Sequence, residues 1–135
     1  MNSKNFLRVV VQRHIIINFL LLSFLQACIK IVPMSELTFK DCKAYLNNKL
    51  FSGKYELVRG DKYILGKVSK GILNDEKTFN KNILLMEKKY NSCDSGFQKV
   101  FDSKGDIISE GMFSSNKRIG DWKYFTKDSI YLIKY

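Results

Sequence analysis

The chain has 135 residues, with 23 Lys and Arg against 13 Asp and Glu, a formal net charge of +10 and one histidine, His14. With that residue so near the N-terminus, the rest of the chain lacks the Ser-His and Cys-His machinery of nucleophilic catalysis and any His-containing metal site. A chain of this length holds one domain and not two.

Lys4, Arg8 and Arg13 lead into an apolar stretch dominated by Ile15 to Leu25, and that stretch stops at Leu25-Gln26-Ala27-Cys28. A basic n-region, an h-region of about a dozen residues and a small residue before the cut form the secretory pattern. Residues 1–27 therefore read as a signal helix that is removed. The Cys directly after Ala27 resembles the lipobox of bacterial lipoproteins, with Leu25 and Ala27 three and one positions before it. The resemblance implies a diacylglyceryl group on the Cys28 sulfur, cleavage before Cys28 and acylation of the freed amine. Two other readings stay open: an uncleaved signal anchor from Ile15 to Ile29, shorter than the ~20 apolar residues a span needs, and ordinary cleavage to a soluble product. All three export the C-terminal part. Ile29 and Lys30 supply no acidic retention signal of the inner-membrane kind, so the expected place is the cell envelope, membrane-anchored, with the outer membrane favoured.

Residues 28–36, with the only proline at Pro33, are expected to form the lipidated Cys and a tether, and residues 37–135 a single β-rich domain. Beyond Cys28 lie 20 basic and 13 acidic residues, a net +7. The lysines are scattered among acids with no block of five or six, so the charge reads first as solubility. A basic patch for anionic lipid is the lesser alternative, and nucleic acid is disfavoured. Cys42 and Cys93 would close a loop of about 50 residues, and such pairs commonly bridge in an oxidising compartment; two buried free thiols are the alternative. Two cysteines without histidine cannot make a four-ligand zinc site. No cofactor is implied.

Thr38 with Asp41, and Phe39, Cys42 and Leu46 at helical spacing, allow one short helix, although Cys42 would serve equally well entering a strand. From Lys54 onward, runs of aromatic and β-branched residues alternate with Gly, Asn, Asp and Ser clusters, the rhythm of an antiparallel meander. The clearest hairpin runs from Lys54 to Arg59, turns at Gly60-Asp61 and returns from Lys62 to Val68. Glycine at the first central position suits a type II′ turn, and that register sets Leu57 opposite Ile64 and Val58 opposite Tyr63. Ser69 to Asn82 is polar and reads as a longer loop with one helical turn near Asp75. Asn82 to Tyr90 reads as a strand, with Ile83 and Leu85 on one face and Leu84 and Met86 on the other.

The last 40 residues carry a repeat. Phe97 to Phe113 contains Phe101-Asp102, Gly105 and Glu110-Gly111, and is followed by Gly120-Asp121-Trp122-Lys123-Tyr124-Phe125. This resembles the MORN-repeat variant of the YwqK-like family over residues 97–135. Elementary physics accounts for the same residues. Gly105 suits the left-handed position of a hairpin loop, Gly111 and Gly120 relieve crowding where strands bend or bulge, and Trp122 and Tyr124 share one face by period-two alternation. The aromatic stripe is expected to be mainly structural, with a ligand platform as the alternative. Asp102, Asp106 and Glu110 fit turn geometry better than a paired-carboxylate hydrolase.

The fold class expected is thus mainly β, an antiparallel hairpin-repeat sheet. The leading functional expectation is a noncatalytic, lipid-anchored module that presents its sheet to a protein, glycan or lipid partner. The resemblance also implies an antitoxin or immunity-type protein that neutralises a toxin. An anionic membrane-surface module is the third expectation.

Overall fold

The computed structural model describes residues 31–135. The expected signal segment, Cys28 and the start of the expected tether lie outside the described residues. Twelve strands, β1 to β12, form one nine-stranded sheet and one three-stranded sheet, and all pairs but one are antiparallel. The nine-stranded sheet is a meander. After β1 (Ile31–Pro33) at one edge, it runs through β5 (Gly53–Arg59), β6 (Lys62–Ser69), β7 (Ile72–Asn80), β8 (Ile83–Tyr90), β9 (Ser95–Phe101), β10 (Ile107–Ser114), β11 (Lys117–Phe125) and β12 (Ile130–Lys134) at the other edge. The small sheet is β2 (Leu37–Lys40), β3 (Lys43–Leu46) and β4 (Lys49–Leu50).

Turn chemistry explains why the strands follow one another so tightly. Asp41-Cys42, Asn47-Asn48, Lys70-Gly71, Lys81-Asn82 and Ser115-Asn116 all have positive φ at both residues, the type I′ signature that matches strand twist. Gly60 has φ 58° while Asp61 stays negative, as a type II′ turn requires. The first hairpin has the expected register, with Leu57 opposite Ile64 and Val58 opposite Tyr63.

Three expectations are corrected. The short helix over Thr38–Leu46 is instead the β2–β3 hairpin: Thr38 pairs with Tyr45 and Phe39 with Ala44 across the Asp41-Cys42 turn. The helical spacing of Phe39, Cys42 and Leu46 is coincidental, because the left-handed pair Asp41-Cys42 ends any helix. The Ser69–Asn82 loop, with its helical turn near Asp75, is the nine-residue strand β7. Polar partners on other strands hold its central residues, Tyr55 and Tyr90 at Glu76 and Glu87 at Lys77, so the strand forms without an apolar stripe there. Ile31–Pro33 and the 3₁₀ turn Met34–Glu36 are part of the domain, since Val32 is 1% exposed and pairs in parallel with Tyr55.

The main core lies where the small sheet covers one face of β1, β5 and β6. Val32, Leu37, Ala44, Phe51, Tyr55 and Val68 are buried there, with Met34, Leu46 and Leu73 packed against them. Main-chain bonds join the layers: Ala44 N–H donates to Gly71 O at 2.8 Å and Gly71 N–H to Phe51 O at 2.7 Å. The Cys42–Cys93 disulfide is present, with Cα atoms 5.1 Å apart, and it ties the β2–β3 turn to the β8–β9 loop. By loop entropy alone a bridge of that span contributes ~4 kcal/mol.

Candidate interaction surface

Register sorts the side chains of the long sheet onto two faces. Tyr55, Gly66 and Glu76 lie in line across β5, β6 and β7, and Glu76 faces Lys88 of β8. Tyr55 Oη and Tyr90 Oη both donate to the Glu76 carboxylate, the second at 2.5 Å. Burial first, and then the Glu76 charge and hydrogen bond, push both phenols far above the ordinary tyrosine range. A half-buried carboxylate is thereby satisfied by two neutral donors. Tyr55 lies against Gly66, where a Cβ would sit 2.2 Å from the ring.

The arrangement recurs forty-five residues later in the expected repeat. Trp122 lies against Gly111, where a Cβ would meet the indole at 2.6 Å, and Trp122 Nε1 donates to Met112 O at 2.7 Å. The β10–β11 ladder shifts register between Glu110 and Met112, and Gly120 takes φ 64° on the facing strand. Gly105 takes φ 91° in the β9–β10 connection. Trp122 is 0% exposed and Phe113 1%, so the tryptophan is core. Tyr90 meets Phe113 edge-on at 5.3 Å. Among the described residues no second layer covers this half of the sheet, and the aromatic rings themselves exclude water.

Tyr124 lies on the same face as Trp122 but is only half-buried. Arg118 joins it: the guanidinium lies 4.4 Å from the Trp122 ring centre, 5.6 Å from Tyr124 and 5.7 Å from Tyr135. Arg118 donates to Tyr124 Oη and, at 3.1 Å, to Tyr135 Oη. Tyr131 stacks on Tyr124 at 5.3 Å and 11°. Sequence reasoning missed Arg118, Tyr131 and Tyr135. The signal was present, because Arg118, Gly120, Trp122 and Tyr124 alternate by two and the facing strand offers Tyr131, Ile133 and Tyr135 at the same period.

The carboxylates of Asp102 and Glu110 have structural partners. Asp102 Oδ1 accepts from the main-chain N–H of Lys104 at 2.8 Å and of Asp106 at 2.9 Å, and these bonds hold its carboxyl below the ordinary range. Glu110 belongs to the opposite face, where Lys77, Glu87, Lys99, Glu110 and Lys123 stand in line across five strands. Lys77–Glu87 close to 3.6 Å and Lys99–Glu110 to 3.9 Å. The lysines of this row alternate with carboxylates, so the row presents no run of positive charge.

The last strand gathers several exposed apolar residues in one row. Ile130 and Leu132 are each 64% exposed, and Tyr131, Ile133 and Tyr135 are exposed beside them. Among the described residues strand β12 pairs only with β11, which leaves its other edge without a neighbour. Met112 and Ile119, paired across β10 and β11, extend the exposed apolar surface inward.

Comparison of the chain with protein-family models, with curated proteins and with solved structures finds no match in any of the three. Among the described residues no helix is long and apolar enough to cross a membrane.

Proposed function

We propose that this chain is a noncatalytic β-meander module of the cell envelope, held to the membrane by lipid on Cys28, and that its end strand receives a protein partner. The observation that carries this reading is the exposed apolar edge of β12. A row of unpaired main-chain groups flanked by Ile130, Leu132 and Ile133 is a template for another strand. The aromatic stripe behind it acts as a rigid backing and not as a pocket, because Trp122 is buried.

The Cys42–Cys93 bond supports the envelope, since disulfides persist in oxidising compartments. Two or three acyl chains on Cys28 would attach the module firmly where one would not. The recurrence of an aromatic ring against a glycine at Gly66 and Gly111 supports the MORN-variant resemblance. The alternating charges on the opposite face disfavour an anionic membrane surface as the main ligand.

The test combines anchoring and contact. Wild-type chain should fractionate with membranes and begin at an acylated Cys28 by mass, and Cys28→Ser should abolish both. A photo-crosslinking side chain placed at Ile130 in intact cells should capture protein, while the same probe at Lys49 on the small sheet should not. Unacylated, full-length polypeptide in the cell interior would refute the anchor, and equal capture from both positions would refute the surface.

A further inference from the structure

We propose that β12 is the seam of a two-fold dimer, in which the end strands of two copies pair antiparallel about Leu132 and join two nine-stranded sheets into one. The proposal rests on reading β12 as the interaction surface and names its occupant as a second copy of this chain.

Hydrogen-bond phase supplies the first argument. Thr126 N–H donates to Ser129 O at 2.9 Å, and Tyr135 N–H to Gly120 O at 3.0 Å. These two bonds bracket the β11–β12 ladder, in which Trp122 faces Ile133 and Tyr124 faces Tyr131. Antiparallel pairs alternate between bonded and non-bonded, so residues 129, 131, 133 and 135 turn their main-chain groups toward β11. The N–H and C=O groups of Ile130, Leu132 and Lys134 therefore point out of the sheet edge, where no strand among the described residues receives them.

Self-complementarity is the second argument. Placing a two-fold axis at Leu132 pairs Leu132 with Leu132 of the second copy, and Ile130 with Lys134 of the second copy, twice. All three pairs consist of outward-pointing residues, so each exchanges two hydrogen bonds, about six in all. A shift of one residue along the strand would face outward groups with inward ones and lose them.

Charge agrees with the same register. Lys134, the lone charge on the strand, meets the apolar Ile130 rather than another lysine, and it lies diagonal to Asp128 of the second copy, within reach of a long side chain. On the other face Tyr131 comes beside Ile133 of the second copy. Leu132, one of the most exposed apolar residues of the strand, is covered by its own mate.

The opposite edge shows what protection looks like. There β1 has three residues, one of them Pro33, and Val32 is buried. Proline and short length are the usual guards of a sheet edge. Strand β12 has neither, and its ladder with β11 runs without a bulge. Lipid anchoring would confine copies to one surface and raise their effective concentration.

The experiment uses full-length chain extracted from membranes into detergent, with the parent chain as background for the native thiols. On mild oxidation Leu132→Cys should give a covalent dimer, because bonded pairs place Cα atoms ~5.5 Å apart. Ile130→Cys and Lys134→Cys alone should not, since each lies ~13 Å from its own mate, but a mixture of the two should. Leu132→Pro removes an outward N–H without touching the bonds to β11, and should lower the dimer fraction at least tenfold with the far-ultraviolet spectrum unchanged. Equal cross-linking at all three positions, a dimer that survives Leu132→Pro, or a parent chain that sediments as a monomer would overturn the proposal. Capture of a different protein from Ile130 by a monomeric chain would overturn it while leaving the proposed function standing.

Discussion

Replacing Gly111 by Ala tests whether the repeat motif is a packing device. The backbone at Gly111 has no left-handed torsion, so alanine is conformationally permitted, but its Cβ would lie 2.6 Å from three atoms of the indole. Carbon atoms pack at ~3.5 to 4.0 Å, and Trp122 must retreat by roughly 1 Å from a site where it is fully buried. Overpacking of that kind costs ~1 to 3 kcal/mol. Weakening the 2.7 Å bond from Nε1 to Met112 O adds ~1 kcal/mol. Trp122→Ala alone should cost ~3 to 5 kcal/mol. In that background the new methyl group meets open space, and Gly111→Ala should become neutral or stabilise by up to ~1 kcal/mol, since alanine loses less entropy than glycine in a strand. The cycle therefore carries a coupling of at least ~2 kcal/mol. Urea denaturation followed by far-ultraviolet circular dichroism measures all four corners, since the one tryptophan is itself removed in two of them. Gly60→Ala is the control: its φ is 58° with nothing near the missing Cβ, so it should cost ~1 to 2 kcal/mol in either background. Additive effects at Gly111 and Trp122 would show that ring and glycine do not constrain one another.

Two further predictions concern the other half of the molecule. Replacing Cys42 and Cys93 together by Ser should lower stability by up to ~4 kcal/mol in the chain-entropy account, read as a shifted denaturation midpoint that matches the reduced wild type; unchanged melting under reduction would refute it. Stability should also fall above about pH 10. Tyr55 and Tyr90 hold their protons to higher pH in the fold than in the unfolded chain, where phenols titrate near 10. Their contribution is complete below that value and is lost progressively as pH rises toward the folded-state values. Tyr90→Phe should make the alkaline limb of the stability curve shallower, and an identical limb in the variant would refute the role of Glu76.

Parts of the fold that depend on neighbours in sequence were legible. The Lys54–Val68 hairpin follows from Gly60-Asp61, because a two-residue turn determines its own register. The left-handed Gly105, the crowding that Gly111 relieves and the burial of Trp122 are all readable from local pattern, whereas Gly120 is needed for its positive φ and not for space, since nothing lies near its missing Cβ. Strand β7 was not legible, because Asn74, Asp75, Glu76 and Lys77 carry no apolar alternation, and Glu76 and Lys77 are held by Tyr55, Tyr90 and Glu87 on other strands. The β2–β3 hairpin was hidden by a chance helical spacing and by a turn, Asp41-Cys42, that contains no glycine.

By itself the amino-acid sequence determined the class of fold and the hairpin rhythm, since turn residues and β-branched or aromatic runs act over a few positions. Tertiary structure alone decided which layer covers which half of the sheet, that Val32 joins the core through a parallel pairing with β5, and that Arg118 gathers Trp122, Tyr124 and Tyr135. It also decided which main-chain groups of β12 face outward. Those outcomes depend on contacts between residues far apart in the chain, and no local preference encodes them.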